Sequence, residues 1–298
     1  MMCLASMYEP PLVSGVIRAR SEDFGVQELP LTEFAGQGEH VYLHLRKRDA
    51  NTQWLAGQIA DYCGVAAMDV GYAGRKDRYA VTEQWFSCYL PKSDPDWDSM
   101  HIEGAELLAT TRHSRKLRPG DLAGNRFDIQ IRDLDPSSSQ ALLMDRMEMI
   151  KANGFPNYYG PQRFGHDNLA QAAEFIQGRN KKNRGMMIST IRSHLFNGYL
   201  SNCLAGKTVP EFGPLYGRSR DPQAGEENMS AEEKAFVAGL RRLKVKVGER
   251  RMIEKPGSFD WQFNEEGLNL TFTLAPGCYA TSMIGEILNY VDAGAPVE

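Results

Sequence analysis

The chain has 298 residues, 42% hydrophobic and 24% charged, enough apolar surface to close one large or two modest cores. No stretch approaches the roughly 18 uninterrupted apolar residues of a spanning helix, and MMCLASMYEPPLVSG lacks the basic region and apolar run of a signal peptide. Five cysteines, odd in number and never in a CxxC pair, point to free thiols in a reducing cytoplasm rather than to disulfides or zinc.

A net charge of −4 argues weakly against a nucleic-acid partner. Distribution matters more than the total, because phosphate contacts are local. Basic residues crowd GRKDR (74–78), RHSRKLRPGDLAGNR (112–126), RNKKNR (179–184) and RRLKVKVGERR (241–251). One such cluster reads as a solvated face. Four together favour a polyanion.

VIRARSEDFGVQE (16–28) reads as an early strand, and HVYLHLRKR (40–48) alternates with Val41, Leu43 and Leu45 on one face. A helix follows, capped by Asn51 or Thr52, with Leu55, Ile59 and Tyr62 on one face and Gly64 at its end. A short strand leads into GYAGRKDR, another is AVTEQWFSCYL, and RFDIQIR (126–132) alternates through Phe127, Ile129 and Ile131. Asp135-Pro136 opens a helix that Gly154 stops, with Leu143, Met147 and Ile150 on its face. Further helices are expected from Asn168 to Gln177, from about Ile188 to Leu204, and from Ser230, where Glu233 completes a capping box. Residues 205–229 read as a surface excursion, LNLTFTL (268–274) as a strand and TSMIGEILNY as a closing helix. Strands at both ends and helices between predict an α+β fold. A mixed core of 1–154 and 251–298 is interrupted by a helical insertion, 155–250.

No P-loop, GxGxxG or GxSxG follows a strand. His40 and His44 lie in an alternating strand, about 13 Å apart and too far to share a metal. Metal, nucleotide and acyl-transfer chemistry lose ground, leaving carboxylates, bases and aromatics.

Asp77 stands in a glycine-opened loop among Arg75, Lys76 and Arg78. Nearby cations favour the ionised form of a carboxylate, as a nucleophile or base acting on a nucleic acid requires. Local sequence alone favours a solvated turn whose charges satisfy one another.

The longer text reverses that preference. GYAGRKDRYAVTEQWFS, RHSRKLRPGDLAGNRF and PNYYGPQRFG, in this order, closely resemble the TruD family of tRNA pseudouridine synthases. DFGVQE (23–28), GEHVYLHLRKRDANT (38–52), RSHLFN (192–197) and PGCYATSMIGEIL (276–288) extend the resemblance over nearly the whole chain. It implies a pseudouridine-synthase-like mixed-sheet catalytic domain with a mostly helical TRUD insertion domain. It also implies uridine 13 of a tRNA as target and no cofactor. The family's catalytic aspartate falls on Asp77, the aromatic of its DFxVxE motif on Phe24, and the GNxF pair on Asn125 and Phe127. Arg18 falls where the family carries a basic residue able to pair with the catalytic carboxylate. With Phe24, Asn125, Phe127 and Lys76 it makes up the expected substrate-binding set. Gly285 stands where an arginine is usual, and the insertion looks short.

Phe24 and Phe127 are candidates to stack the target base, and Asn125 to read its edge; as plain residues they would be core and turn. Asn157, Tyr158 and Tyr159 read either as a stacking patch or as a tight turn. The rival function is a non-catalytic tRNA-binding protein or RNA chaperone. Asp77 separates the two, since a pure binder gains nothing from an anion among its phosphate contacts. A hydrolytic glycosidase or nuclease would want a second carboxylate or a metal cluster.

Overall fold

The computed structural model describes residues 4–92, 94–134, 140–165, 167–179 and 183–294. In chain order its elements begin with β1 (Ser14–Ile17), β2 (Phe24–Pro30), β3 (His40–Arg48), α1 (Thr52–Cys63), β4 (Val70–Tyr72) and β5 (Val81–Tyr89). Then come β6 (Ala105–His113), β7 (Leu122–Ile131), α2 (Gln140–Asn153), β8 (Phe155–Pro156), α3 (Asn168–Ile176) and α4 (Arg184–Ala205). The rest are β9 (Phe212–Leu215), α5 (Ala231–Arg242), β10 (Gly248–Arg251), β11 (Ile253–Glu254), β12 (Gly257–Asn264), β13 (Gly267–Leu274), α6 (Ala280–Ile287) and β14 (Asn289–Asp292).

The chain divides into two compact units. Leu12–Leu143, Pro256–Gly277 and Leu288–Glu298 form one; Met1–Pro11, Met144–Lys255 and Cys278–Ile287 form the other. The helical unit therefore takes in the N-terminal segment, most of α2 and α6 besides the expected 155–250.

The first unit is built on an eight-stranded sheet in the order β12-β13-β7-β2-β5-β3-β6, with β4 also on β5. The β2–β5 pair is parallel and the others antiparallel, so the sheet is mixed. Helix α1 covers one face. Its Leu55 and Ile59 meet Val41, Leu43, Leu45 and Phe86 in a closed core. Asn51 caps it by accepting from the Gln53 and Trp54 amides, and Gly64 ends it at φ 65°. On the opposite face Tyr42, Leu117 and Leu122 pack with Phe34 and Trp85, which is why β3 is buried on both sides.

Three expectations need correcting. The strand read from 16 to 28 is two, because Arg18 adopts φ 54° and breaks it between β1 and β2. The segment 205–229 is not wholly an excursion: it supplies β9, paired with β10, and the fully buried Tyr216. TSMIGEILNY ends its helix at Ile287, and its last residues begin β14, which runs parallel to β1. The Asp135-Pro136 helix start falls outside the described residues.

The helical unit closes its own core from Phe175, Ile176, Met187, Ile191, Leu195, Phe236 and Leu240. Ser230 and Glu233 form the expected capping box at α5. Among the described residues no helix is long and apolar enough to cross a membrane.

Candidate active site

GRKDR lies in the turn between β4 and β5, and every step of it is tethered. Buried Gln84 donates to the Gly74 carbonyl (3.3 Å) and accepts from Thr52 Oγ1 (2.9 Å). That same Oγ1 accepts from the Lys76 amide (3.0 Å). Lys47, with no exposed surface, donates from Nζ to the Asp77 carbonyl (2.8 Å) and to the Ala50 carbonyl (2.7 Å). Burial pushes its ammonium down to about 8, opposed by the Asp77 charge and reinforced by Lys76. A buried ammonium between two carbonyls is a stiff clamp on the backbone of residue 77.

The Asp77 side chain, 39% exposed, projects from this clamped backbone. Arg18, 4% exposed, reaches it from the β1–β2 break with Nη2 2.8 Å from Oδ2. The other arm of the guanidinium, Nη1, lies 2.5 Å from Asp292 Oδ2 on β14. The guanidinium carbon sits 3.8 Å from the centroid of the Phe24 ring, within cation–π range. Arg18 is thus fixed by two carboxylates and a ring, and Asp77 alone of the two carries its charge well into solvent.

Beside it is a second buried pair. Lys76 Nζ is 2.7 Å from Glu28 Oε2, with side chains 6% and 2% exposed, and donates to Asn125 Oδ1 (2.7 Å). Asn125 stands on β7 opposite Glu28 of β2 and Leu274 of β13. Gly124 before it must be glycine, because a Cβ there would lie 2.4 Å from the Leu274 carbonyl oxygen. Phe127 stacks on Phe272 at 5.2 Å and meets Phe24 edge-on at 6.3 Å.

The fold therefore brings Arg18, Phe24, Lys76, Asp77, Asn125 and Phe127 into one connected cluster within the sheet unit. Phe24 and Phe127 are 1% and 7% exposed, and the Phe24 face is taken by Arg18. Reading from the sequence missed Asp292, Glu28 and Lys47. The signals were faint: an acid in an unrecognised last strand, and charges at inward positions of alternating strands.

Other singled-out residues are spent elsewhere. Asn157 and Tyr158 are buried in a pinned turn, with Asn197 accepting from the Tyr159 amide and donating to its carbonyl (2.9 Å each). Arg250 lies over the Tyr159 ring at 4.1 Å. In the 241–251 cluster Arg241 pairs with Glu226, Arg242 donates to the Ile176 carbonyl, and Arg251 pairs with Glu211. Lys181 and Lys182 lie outside the described residues. His113 accepts from the Ala35 amide and packs on Tyr42; His44 stacks on Trp85 at 4.6 Å.

A mixed sheet that presents one solvent-reaching carboxylate on a clamped turn, backed by a buried arginine, defines a class of protein organised around that carboxylate. Comparison with known proteins makes the assignment particular. The family description tRNA pseudouridine synthase D (TruD) matches residues 5–178, and the chain belongs to that family. It is 36% identical to a tRNA pseudouridine synthase D of Photobacterium profundum, over 95% of this chain and 94% of that one. It is 32% identical to that of Actinobacillus succinogenes, over 98% and 100%. The Photobacterium alignment spans 332 positions, more than the chain's own length, so that relative carries segments this chain lacks. The fold is similar to the crystal structure of a candidate tRNA pseudouridine synthase D from Methanosarcina mazei. The TM-score is 0.69 at 17% identity, covering 95% of each chain.

Proposed function

We propose that this protein is an isomerase converting a uridine of tRNA, at position 13, to pseudouridine in the cytoplasm, with Asp77 as the reacting carboxylate and no cofactor. The reaction breaks C1′–N1, turns the uracil and joins C5 to C1′; C5 loses a proton and N1 gains one. Atoms and electrons balance within the substrate, so neither an oxidant nor an energy source is called for.

The observation that carries this reading is the Arg18–Asp77 pair. A carboxylate that attacks C1′, or takes the 2′ proton, must be anionic, aimed and reachable at once. The clamp from Lys47 and the doubly held Arg18 supply the aim, and 39% exposure supplies the reach. Phe24 supports the arginine, and Phe127 forms the aromatic bed with Phe272. With Asn125 Oδ1 taken by Lys76, its amide donors suit the carbonyl oxygens of uracil. Phe127 has no hydroxyl, so Asp77 or water removes the C5 proton. The sheet unit is the catalytic body, and the helical unit acts as the insertion that adds RNA contacts.

Asp77→Asn tests the assignment. Either mechanism predicts a fall of several orders of magnitude in single-turnover pseudouridine formation, with tRNA affinity by filter binding held or slightly raised. A variant that still isomerises uridine at an appreciable fraction of the wild-type rate would rule Asp77 out.

A further inference from the structure

Beside the GRKDR turn, the sheet unit carries a cleft of about 510 Å³ that the chemistry above does not use. Its walls include Arg48, Asp49, Ala50, Trp54, Arg78 and Glu103. Trp54 stands in the first turn of α1 with 45% of its surface exposed, although Leu55 and Ile59 of the same helix are fully buried. A large ring left half in water is an uncommon use of tryptophan and marks a surface for recognition. Arg78 follows Asp77 directly. Its Nε donates to the Asp49 carbonyl (3.3 Å), which holds the guanidinium at the rim, and it has no ion pair among the described residues. Arg75, also without an ion pair there, is held towards α1 by Gln53 (3.3 Å). Arg48, by contrast, is taken by Glu22 and Asp49.

This cleft and the catalytic turn share their supports. The Lys47 ammonium that holds the Asp77 carbonyl also holds Ala50, in the cleft wall. The Lys76 amide is bound to Thr52, two residues before Trp54. A group seated on Trp54 is therefore fixed relative to Asp77 through hydrogen bonds rather than through a flexible loop.

We infer that this cleft is a second nucleotide subsite: it takes an unstacked nucleotide flanking the target uridine, its base stacked on Trp54 and its phosphate held by Arg78 and Arg75. The inference rests on the reading that Asp77 acts on RNA. An exposed aromatic in the same cleft as Arg78, with Arg75 held against the same helix by Gln53, suits a base and its phosphate, since stacking accepts any base and the guanidinium takes phosphate oxygens. Of the two acids on the wall, Asp49 is engaged by Ser21 and Arg48, and Glu103 repels phosphate towards Arg78. Holding a neighbour outside the stack also lowers the cost of extruding the target.

The test uses the full-length enzyme with a tRNA transcript and with the same RNA made abasic at the nucleotide 5′ or 3′ of the target. Single-turnover rate and affinity are measured for wild type, Trp54→Ala and Trp54→Phe. Wild type should lose about 5- to 150-fold in rate over affinity, the worth of one stacked base, on one of the two abasic RNAs. Trp54→Ala should lose a similar factor on intact RNA and be indifferent to that abasic change, with Trp54→Phe keeping most of the wild-type response. Intact conversion by Trp54→Ala with wild-type affinity would overturn the subsite while leaving the isomerase reading in place. So would a wild type indifferent to both abasic RNAs. RNA affinity that depends on Trp54 and on the flanking base, in a protein that converts no uridine, would instead sink the isomerase reading and keep the subsite.

Discussion

The buried Glu28–Lys76 pair holds the GRKDR turn from the side, and Glu28→Gln measures that hold. The substitution keeps shape but leaves an ammonium only 6% exposed with Asn125 as its neutral partner. Removing one partner of a buried pair costs about 3–5 kcal/mol. The amide oxygen still accepts from Lys76 or from the Trp85 amide (3.2 Å in the native protein), which places the expectation near the lower end, about 3 kcal/mol. At 2–4 °C per kcal/mol for a unit of this size, melting of the sheet unit should fall by roughly 6–12 °C. Lys76→Met strands the Glu28 carboxylate instead and should cost a similar amount. The double variant buries no charge, so it should be more stable than the sum of the singles by roughly 2–3 kcal/mol. Its turnover should stay low, because Asn125 has lost the group that orients it. Urea denaturation of the four proteins, read beside single-turnover conversion, makes the comparison. A Glu28→Gln protein within about 1 kcal/mol of wild type, or strictly additive singles, would refute the claim that this pair holds the turn.

Asp292→Asn should lower the single-turnover rate roughly 10-fold with RNA affinity unchanged, since it slackens the aim of Arg18 without touching the substrate; an equal loss in affinity would assign Asp292 a binding role. Arg18→Met should lose about 100-fold or more, because it removes the partner of Asp77 outright; a rate within tenfold of wild type would contradict the pairing. Lys47→Met removes a buried charge but orphans two carbonyls, at about 1–3 kcal/mol each. Stability should therefore fall by about 2–6 kcal/mol less the relief from removing a buried ammonium, while turnover drops, and a stable, fully active variant would show the clamp to be idle. In the helical unit, buried Glu286 accepts from the Met7 and Tyr8 amides, and burial pushes its carboxyl up to about 7. A raised acid binds its proton more tightly folded than unfolded, so its contribution is whole below about 4.5 and lost as pH rises to about 7, by at most about 3 kcal/mol. The melting difference between wild type and Glu286→Gln should shrink or reverse across that window; a constant difference would show that Glu286 does not titrate there.

Periodicity made the long elements legible. β3 spans the alternating segment His40–Arg48 as read, the α1 cap is Asn51, one of the two residues offered, and the α5 cap is Ser230. Local chemistry decides such features, so local sequence reports them. What escaped was set by distant partners. Arg18 breaks the first strand where Asp77 and Asp292, 59 and 274 residues away, hold it beside Phe24. β14 reads as a helix end because its four residues take their pairing from β1, at the other end of the chain. In the site, the GRKDR turn announced its carboxylate, whereas the burial of Phe24 and Phe127 depends on how three strands stack side by side.

The return of the last strand to the first sets a clock on synthesis. Arg18 and Asp292 are 274 residues apart, and the Ala293 amide closes on the Ile17 carbonyl only when both ends are free to meet. At 5–20 residues per second a ribosome takes roughly 14–55 s to travel from one to the other. Through that interval the nascent chain carries Asp77 and the arginine behind it, but not the strand that settles the arginine. The aim of Arg18 is therefore completed only once Asp292 has been made, and a chain that stops short of it keeps every other site residue and an unanchored Arg18.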